Sequence, residues 1–374
     1  MHRAIAGSLA KLYELALIDS ENMQVLIRAD ASVEIGTGHV VRCVTLAEEL
    51  TQRHMEVAFA CRPLPGNLLE WLQQKGFTVL PLSSNGDNDA NDTLAAIQTW
   101  TGAAPIDWLI VDHYGLDAQW EGKLRASCRK MMVIDDLANR PHDCDLLLDQ
   151  NVLDAESKQY QHLIPQHCKT LLGPQYALLR PEFRQARSRR TFSQAQNNFK
   201  KILAFFGGSD PTGECVKAVE AFQQLSSQFS LQVDLVAGGS NPRFQELQQL
   251  TQALPQIQLH QQVNDMAQLM SQADISIGAG GTTTWERLCL GLPSLVIAVA
   301  DNQVEISRNL AEKDYLIYLG KSQEVSANQL SEALGQLWNQ PEKQRQLSEH
   351  GMALVDGLGV THVAEILCSC MDSD

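Results

Sequence analysis

Met23-Gln24-Val25-Leu26-Ile27-Arg28-Ala29, followed by Ile35-Gly36-Thr37-Gly38-His39-Val40-Val41-Arg42, is the stretch that decides the fold. An apolar run of strand length leads into a turn with two glycines, and a helical pattern opens directly after it. That order is the first strand, turn and helix of an α/β unit, whose turn at the strand's carboxyl end brings bare backbone N–H groups toward a ligand. His39 falls in the first helical turn. The positive end of the helix dipole disfavours imidazolium there, so the ring is expected to be neutral near pH 7 and able to accept a proton as a general base. A histidine that merely caps the turn fits the same residue type and position.

Outward from this stretch, strand and helix alternate. Apolar runs at Val25–Ala29, Val57–Cys61, Val79–Leu82, Trp108–Asp112, Met131–Ile134 and Leu146–Leu148 are separated by helix-like segments such as Val40–Arg53 and Leu68–Gln74, the pattern of a doubly wound parallel sheet. A polar, arginine-bearing stretch over Arg184–Asn198 lacks apolar periodicity and marks a boundary. A second series begins at Ile202, with strands at Ile202–Phe206, Leu231–Ala237, Ile257–His260, Ile275–Ile277 and Leu295–Ala298 and a helical tail from Ala327. The expected organisation is an extension over residues 1–22, a Rossmann-like domain over 23–190 and a second over 191–374. The two sheets are expected to aim their loops into a shared cleft. The extension has helical periodicity over Ala4–Ile18, but Lys11 and Glu14 interrupt it and speak against an export signal.

Composition narrows the function. A chain of 374 residues suits two domains, and 44% apolar with 20% charged residues reads as soluble and globular. No window approaches the roughly 18 to 20 uninterrupted apolar residues of a membrane span. The nine cysteines have no zinc-binding spacing and suggest reduced thiols in a cytoplasm. A net charge of -15 argues against nucleic acid or an anionic membrane as partner. Any phosphate must then be held locally by backbone amides and a few arginines. The oligomeric state stays open, a monomer included.

Three further motifs end strands. Phe206-Gly207-Gly208-Ser209-Asp210 is a candidate phosphate cradle, or else a tight turn with Asp210 or Thr212 as helix cap. Gly278-Ala279-Gly280-Gly281-Thr282-Thr283-Thr284-Trp285-Glu286 suits a nucleoside diphosphate, with pyrophosphate on the amides around Gly281 and Thr282 and a ribose diol on Glu286. A capping glutamate is the alternative. In Val111-Asp112-His113-Tyr114-Gly115 the adjacent Asp112 and His113 point to opposite faces and cannot easily share a ligand, so Tyr114 is the better sugar contact. Asp135-Asp136 reads as a solvated turn and helix cap rather than a catalytic carboxylate pair.

Taken together, Arg28-x-Asp30-x-Ser32-x-x-Ile35-Gly36-x-Gly38-His39-x-x-Arg42, Asp112-His113-Tyr114-Gly115, Tyr176-Ala177-Leu178-Leu179-Arg180-x-Glu182-Phe183, Gly207-Gly208-x-Asp210 and Asn302-Gln303 resemble the UDP-sugar hydrolases of pseudaminic acid biosynthesis. The resemblance runs from Met23 nearly to the end. It implies a two-domain glycosyltransferase B fold and, as activity, cleavage of a UDP-linked 2,4-diacetamido-2,4,6-trideoxy sugar. It also implies His39 as base, Tyr114 and Asn302 at the sugar, and Glu286 on the uridine ribose. Gly38, Arg42, Arg180, Gly207, Gly208 and Gln303 are the other expected substrate contacts, beside Gly281 and Thr282, whose turn is richer in glycine than the pattern of that family. The run Glu286-x4-Gly291-x-Pro293 is shared with the wider transferase group, so it speaks for UDP without separating transfer from hydrolysis. The expected reaction is a single inverting displacement by water, with no metal and no cofactor. Its rivals are a glycosyltransferase of the same fold and a UDP-sugar-binding protein without turnover.

Overall fold

The computed structural model describes residues 23–83, 88–102, 104–151, 158–189, 199–263 and 265–371. The expected extension over 1–22 and the 190–198 part of the expected link lie outside the described residues. By packing the chain forms two units: one runs up to Leu178 and takes in the chain again from Gly359, the other is Leu179–Leu358. The division expected from sequence was 190/191.

The first unit is built on strands β1 (Gln24–Ala29), β2 (Glu56–Cys61), β3 (Thr78–Pro81), β4 (Ile106–Asp112), β5 (Cys128–Ile134), β6 (Leu146–Asp149) and β7 (Lys169–Leu172), in the order β3-β2-β1-β4-β5-β6-β7. Every pairing is parallel. Successive residues face opposite sides of a strand, and both sides are buried here: Val25 and Ile27 join Phe59, Trp108 and Ile110 in one core, Leu26 joins Ala58, Leu109 and Val111 in the other. This double burial is why the strands read as continuous apolar runs. Helices α1 (Gly38–Gln52), α2 (Leu69–Gln74), α3 (Asp89–Thr101) and α4 (Ala118–Leu124) lie between the strands in sequence. Because β1 pairs with both β2 and β4, the strand order reverses at β1/β4, and the loops leaving these two strands diverge at the carboxyl edge.

The second unit repeats the plan with β8 (Phe199–Phe205), β9 (Ser230–Ala237), β10 (Ile257–Gln261), β11 (Ile275–Ala279), β12 (Ser294–Ala298) and β13 (Ile317–Lys321), ordered β10-β9-β8-β11-β12-β13. Its reversal falls at β8/β11. Its helices are α5 (Pro181–Arg189), α6 (Glu214–Leu225), α7 (Phe244–Thr251), α8 (Met266–Gln272), α9 (Thr283–Cys289), α10 (Asn302–Glu312), α11 (Ala327–Trp338) and α12 (Pro341–Leu354). The chain then crosses back as α13 (Gly359–Met371), whose Val360, Val363 and Leu367 complete the first core beside Val40, Val44 and Ala47 of α1. By length and composition a window within Pro341–Met371 is apolar enough for a membrane span. It is broken into α12 and α13, and its apolar side chains are shared between two cores, Leu347 in one and Leu367 in the other.

Helix α5 falls where the sequence has no apolar stripe. Phe183 is fully buried, and Arg187 fastens the helix to the second unit by donating to the carbonyls of Cys289 (2.7 Å), Met352 (2.8 Å) and Val355 (3.1 Å). These are carbonyls at or just beyond the ends of α9 and α12, which no intrahelical donor reaches. Arg187→Ala is expected to destabilise this unit by about 2 kcal/mol, the range for charged hydrogen bonds that leave acceptors unpaired. Urea unfolding checks it: an unchanged midpoint would mean that α5 is held by Phe183 alone.

Candidate functional site

Each unit places its candidate residues where its strand order reverses. In the first, the β1–α1 loop is set by Ser32, whose hydroxyl accepts the amides of Ile35 (2.9 Å) and Glu34 (3.2 Å) while its backbone pairs with Gly36. Gly36 takes a φ of +82°, a left-handed conformation that glycine adopts without strain. Thr37 then starts α1 without a side-chain cap, and His39 follows, 7% exposed.

His39 is surrounded by the ends of β4 and β5. Its ring meets that of Tyr114 edge to face, with centroids 4.5 Å apart at 84°. Its Nδ1 lies 4.0 Å from Asp112 Oδ1 and has no hydrogen-bond partner among the described residues. One turn along the helix, Arg42 grips Asp112 with two parallel bonds, Nε to Oδ2 at 2.6 Å and Nη2 to Oδ1 at 2.7 Å, and reaches Asp136 Oδ2 with Nη1 at 3.3 Å. His113 points elsewhere, its Nε2 3.5 Å from Asp30 and its Nδ1 accepting the Gly115 amide. Asp112 and His113 therefore serve different partners, as adjacent strand residues must. Asp30 is in turn bound by Arg28, which is wholly buried between Asp30 and Asp89.

Asp135-Asp136 differs from the expected solvated turn and helix cap. Asp135 accepts the amides of Leu137 and Ala138, which makes the turn, but no helix follows it and the residue is only 1% exposed. Arg140 and the Tyr160 hydroxyl donate to it at 2.7 and 3.0 Å, so the carboxylate trades water for ligands the sequence did not announce.

In the second unit the two glycine turns have different roles. Gly207 adopts a φ of +99°, and Asp210 beyond it accepts the amides of Glu214 (2.8 Å) and Cys215 (2.9 Å). Asp210 is thus the cap of α6, and its carboxylate fills that helix's first turn. The Gly278–Thr284 turn is braced from both sides. Gln303 Oε1 accepts the amides of Gly280 (3.2 Å) and Val299 (3.0 Å), tying the loops after β11 and β12. Asn302 and Thr282 are exposed beside it. Helix α9 has no side-chain cap, and Glu286 is no capping residue: its carboxylate lies 3.6 Å from Arg180, which also pairs with Glu182 at 2.9 Å. Arg180 stands over the Phe183 ring at 5.1 Å, a cation–π contact. Sequence reasoning missed Arg287, buried directly behind the turn; an arginine following a candidate ribose acceptor, eight residues after a strand-end glycine-alanine pair, gave no pattern to notice.

With this geometry in place the comparisons can be stated. Residues 202–356 match the model of the glycosyltransferase family 28 C-terminal domain. The chain is 28% identical to the spore coat polysaccharide biosynthesis protein SpsG of Bacillus subtilis, over 92% of this chain and 98% of that protein. It is also 28% identical to the UDP-2,4-diacetamido-2,4,6-trideoxy-beta-L-altropyranose hydrolase of Campylobacter jejuni, over 78% of this chain and 98% of the relative. Among solved structures, MurG of Acinetobacter baumannii aligns with a TM-score of 0.65 at 15% identity, over 93% of this chain and 99% of that one. The chain's two parallel sheets are the two domains of the glycosyltransferase B fold, as the resemblance implied.

Among the described residues no cluster of three or more His, Cys, Asp or Glu side chains is arranged to hold a metal ion. The electrostatics of the first unit favour a neutral imidazole. Burial lowers the His39 pKa below its ordinary value; Asp112 and Asp136 pull it up, Arg42 and His113 push it down, and burial wins. Burial likewise lifts the Tyr114 phenol, with Asp136 adding to it, and lifts the Glu286 carboxyl against the pull of Arg180. The His39 imidazole is therefore expected to titrate by NMR with a midpoint below 6.5, and Asp112→Asn is expected to lower it further, because Arg42 then repels the imidazolium without the Asp112 carboxylate to offset it. On unfolding the ring regains its ordinary value, so as pH falls below 6.5 the unfolded chain binds the proton first and the folded state loses stability. A midpoint above 6.5 would show Asp112, not burial, to be in control.

Proposed function

We propose that this chain is a hydrolase that cleaves the anomeric C–O bond of a UDP-linked 2,4-diacetamido-2,4,6-trideoxy sugar, acting in the cytoplasm in pseudaminic acid biosynthesis. The observation that carries the reading is His39: a buried imidazole whose environment favours the neutral form, on the first turn of a helix, in a chain that resembles a named hydrolase of this substrate over 78% of its length. Neutral His39 takes a proton from water, and the water oxygen bonds to the anomeric carbon on the face opposite the diphosphate. The bond from that carbon to the phosphate oxygen breaks, its electron pair leaving with UDP, and the free sugar has inverted configuration. Tyr114 and Asn302 would line the sugar and Glu286 would accept the ribose hydroxyls. Amides of the Gly207-Gly208 and Gly280–Thr284 turns would stabilise the departing diphosphate.

A glycosyltransferase is the second reading, favoured by the family 28 match over residues 202–356. In it the same histidine would deprotonate an acceptor hydroxyl. Val33 and Ile35 in the loop before His39 are 57% and 40% exposed and could seat an apolar acceptor, so turnover without any acceptor is what separates the two readings. The nine free cysteines suit a reducing compartment.

Three measurements test this. A panel of UDP-sugars incubated without acceptor and read by mass spectrometry is expected to give free sugar and UDP from the diacetamido-trideoxy substrate, and in oxygen-18 water the label should enter the sugar and not UDP. Label in a phosphate product would make the enzyme a pyrophosphatase; UDP release only on adding an acceptor would make it a transferase. His39→Asn is expected to lose at least about 10²-fold in turnover with little change in UDP affinity, the usual range for a removed acid–base group. Near-normal turnover would strip His39 of that role. Glu286→Ala is expected to weaken UDP by about 1.5 to 3 kcal/mol through loss of a charged acceptor, and calorimetry with unaltered affinity would remove the ribose assignment.

A further inference from the structure

Arg287 is the largest polar group buried in the second unit for which the reading above has no use. It is 2% exposed on α9, and its Nη2 donates to the Ala279 carbonyl at the end of β11 (2.8 Å) and to the Thr284 hydroxyl (3.0 Å). These two acceptors bracket the Gly280-Gly281-Thr282 segment. Its Nε is buried and has no hydrogen-bond partner, and among the described residues no carboxylate lies within ion-pairing distance of the guanidinium. Glu286, 3.6 Å from Arg180, acts on the Arg287 guanidinium through space but makes no ion pair with it. Gly278 makes the room: a Cβ there would stand 2.3 Å from Arg287 Nη1 and 2.6 Å from the Phe205 carbonyl. The backbone is stripped to glycine to seat a cation directly behind the turn.

A buried charge without a counter-ion is costly, and the interior normally pairs it or excludes it. Burial brings the Arg287 guanidinium down to about 10, which still leaves it charged at neutral pH. The field of such a charge is weakly screened and acts through the turn on whatever occupies its far side. A diphosphate there would add negative charge to that of Glu286, which makes no ion pair with the arginine, without touching the arginine.

We propose that Arg287 is a positioning residue for the diphosphate: it clamps the Gly280–Thr284 turn between Ala279 and Thr284 and lends it a buried positive charge, so that the site selects the phosphates of a nucleoside diphosphate over the nucleoside. This rests on the UDP reading above and adds a residue that neither the sequence motifs nor the resemblance singled out. Clamp and charge have separate consequences. Arg287→Lys keeps the charge and one donor direction; Arg287→Gln keeps polarity and loses the charge; Thr284→Val loosens the clamp and keeps the charge.

The test is calorimetric titration of the full chain with UDP and, separately, with uridine, alongside thermal unfolding. Arg287→Gln is expected to weaken UDP by about tenfold or more while uridine changes less than about twofold. Arg287→Lys should recover most of the UDP affinity, and the dependence of UDP binding on salt should flatten in Arg287→Gln. If Arg287→Gln does not fold, Thr284→Val is the deciding variant, expected to weaken UDP severalfold with uridine unmoved. Equal loss of UDP and uridine, or no loss of either, would make Arg287 a structural residue and overturn the proposal. A wild-type chain that binds no UDP would instead overturn the UDP reading on which it rests.

Discussion

The bidentate pair between Arg42 and Asp112 is the constraint on which the first unit's chemistry depends. Both groups are almost fully buried, 5% and 1% exposed, so each has given up its water and neither can be changed alone without stranding the other. Such a pair contributes little net stability against an apolar replacement, but it has one acceptable geometry. That geometry fixes the first turns of α1 against the last residue of β4. The third nitrogen of Arg42, on Asp136, adds the loop after β5 to the same node. His39, one turn before Arg42, inherits its position from three loops held by one guanidinium.

The second unit solves the same problem by other means. Its turn after β11 is held by a side-chain amide, Gln303, by a hydroxyl, Thr284, and by an arginine that meets carbonyl and hydroxyl oxygens rather than carboxylates. Where carboxylates do occur they face other groups: Asp210 accepts the α6 amides, and Glu286 lies 3.6 Å from Arg180. The arrangement keeps negative charge off the Gly278–Thr284 backbone. An ionic framework like that of the first unit would repel an anionic ligand from such a turn.

Much of this could be read from sequence, for identifiable reasons. Strands buried on both faces, such as Trp108–Asp112 and Ile275–Ile277, announce themselves as apolar runs. The edge strands β7 and β13 did not, because Lys169, Thr170 and the half-buried Ile317–Lys321 dilute the signal. Helix α5 escaped because its anchor is Arg187 on backbone carbonyls, an interaction without periodicity. Helix α13 was legible as a helix but not as part of the first core, since no local pattern encodes a return across the chain. The same distinction holds at the site. Glycine turns and His39 are local features; the burial of Asp135 and Asp136 depends on Arg140, Tyr160 and Arg42, up to 94 residues away, and on that account a reading confined to neighbours left them in water.

The Arg42–Asp112 pair also leaves the protonation of His39 to burial. An ionised carboxylate 4.0 Å from Nδ1 would by itself hold the ring as imidazolium, and a positively charged ring cannot serve as a base. Arg42 lies beside the same carboxylate and offsets its field at the ring, while Asp136 and His113 oppose one another in the same way. The charges act in opposite directions, and burial, the largest influence, favours the uncharged form. Asp112 nevertheless stands close to Nδ1, the side from which a carboxylate can support the imidazolium once a proton has arrived at the other nitrogen. One ion pair thus positions the histidine, while burial keeps it neutral, and leaves a carboxylate beside its Nδ1.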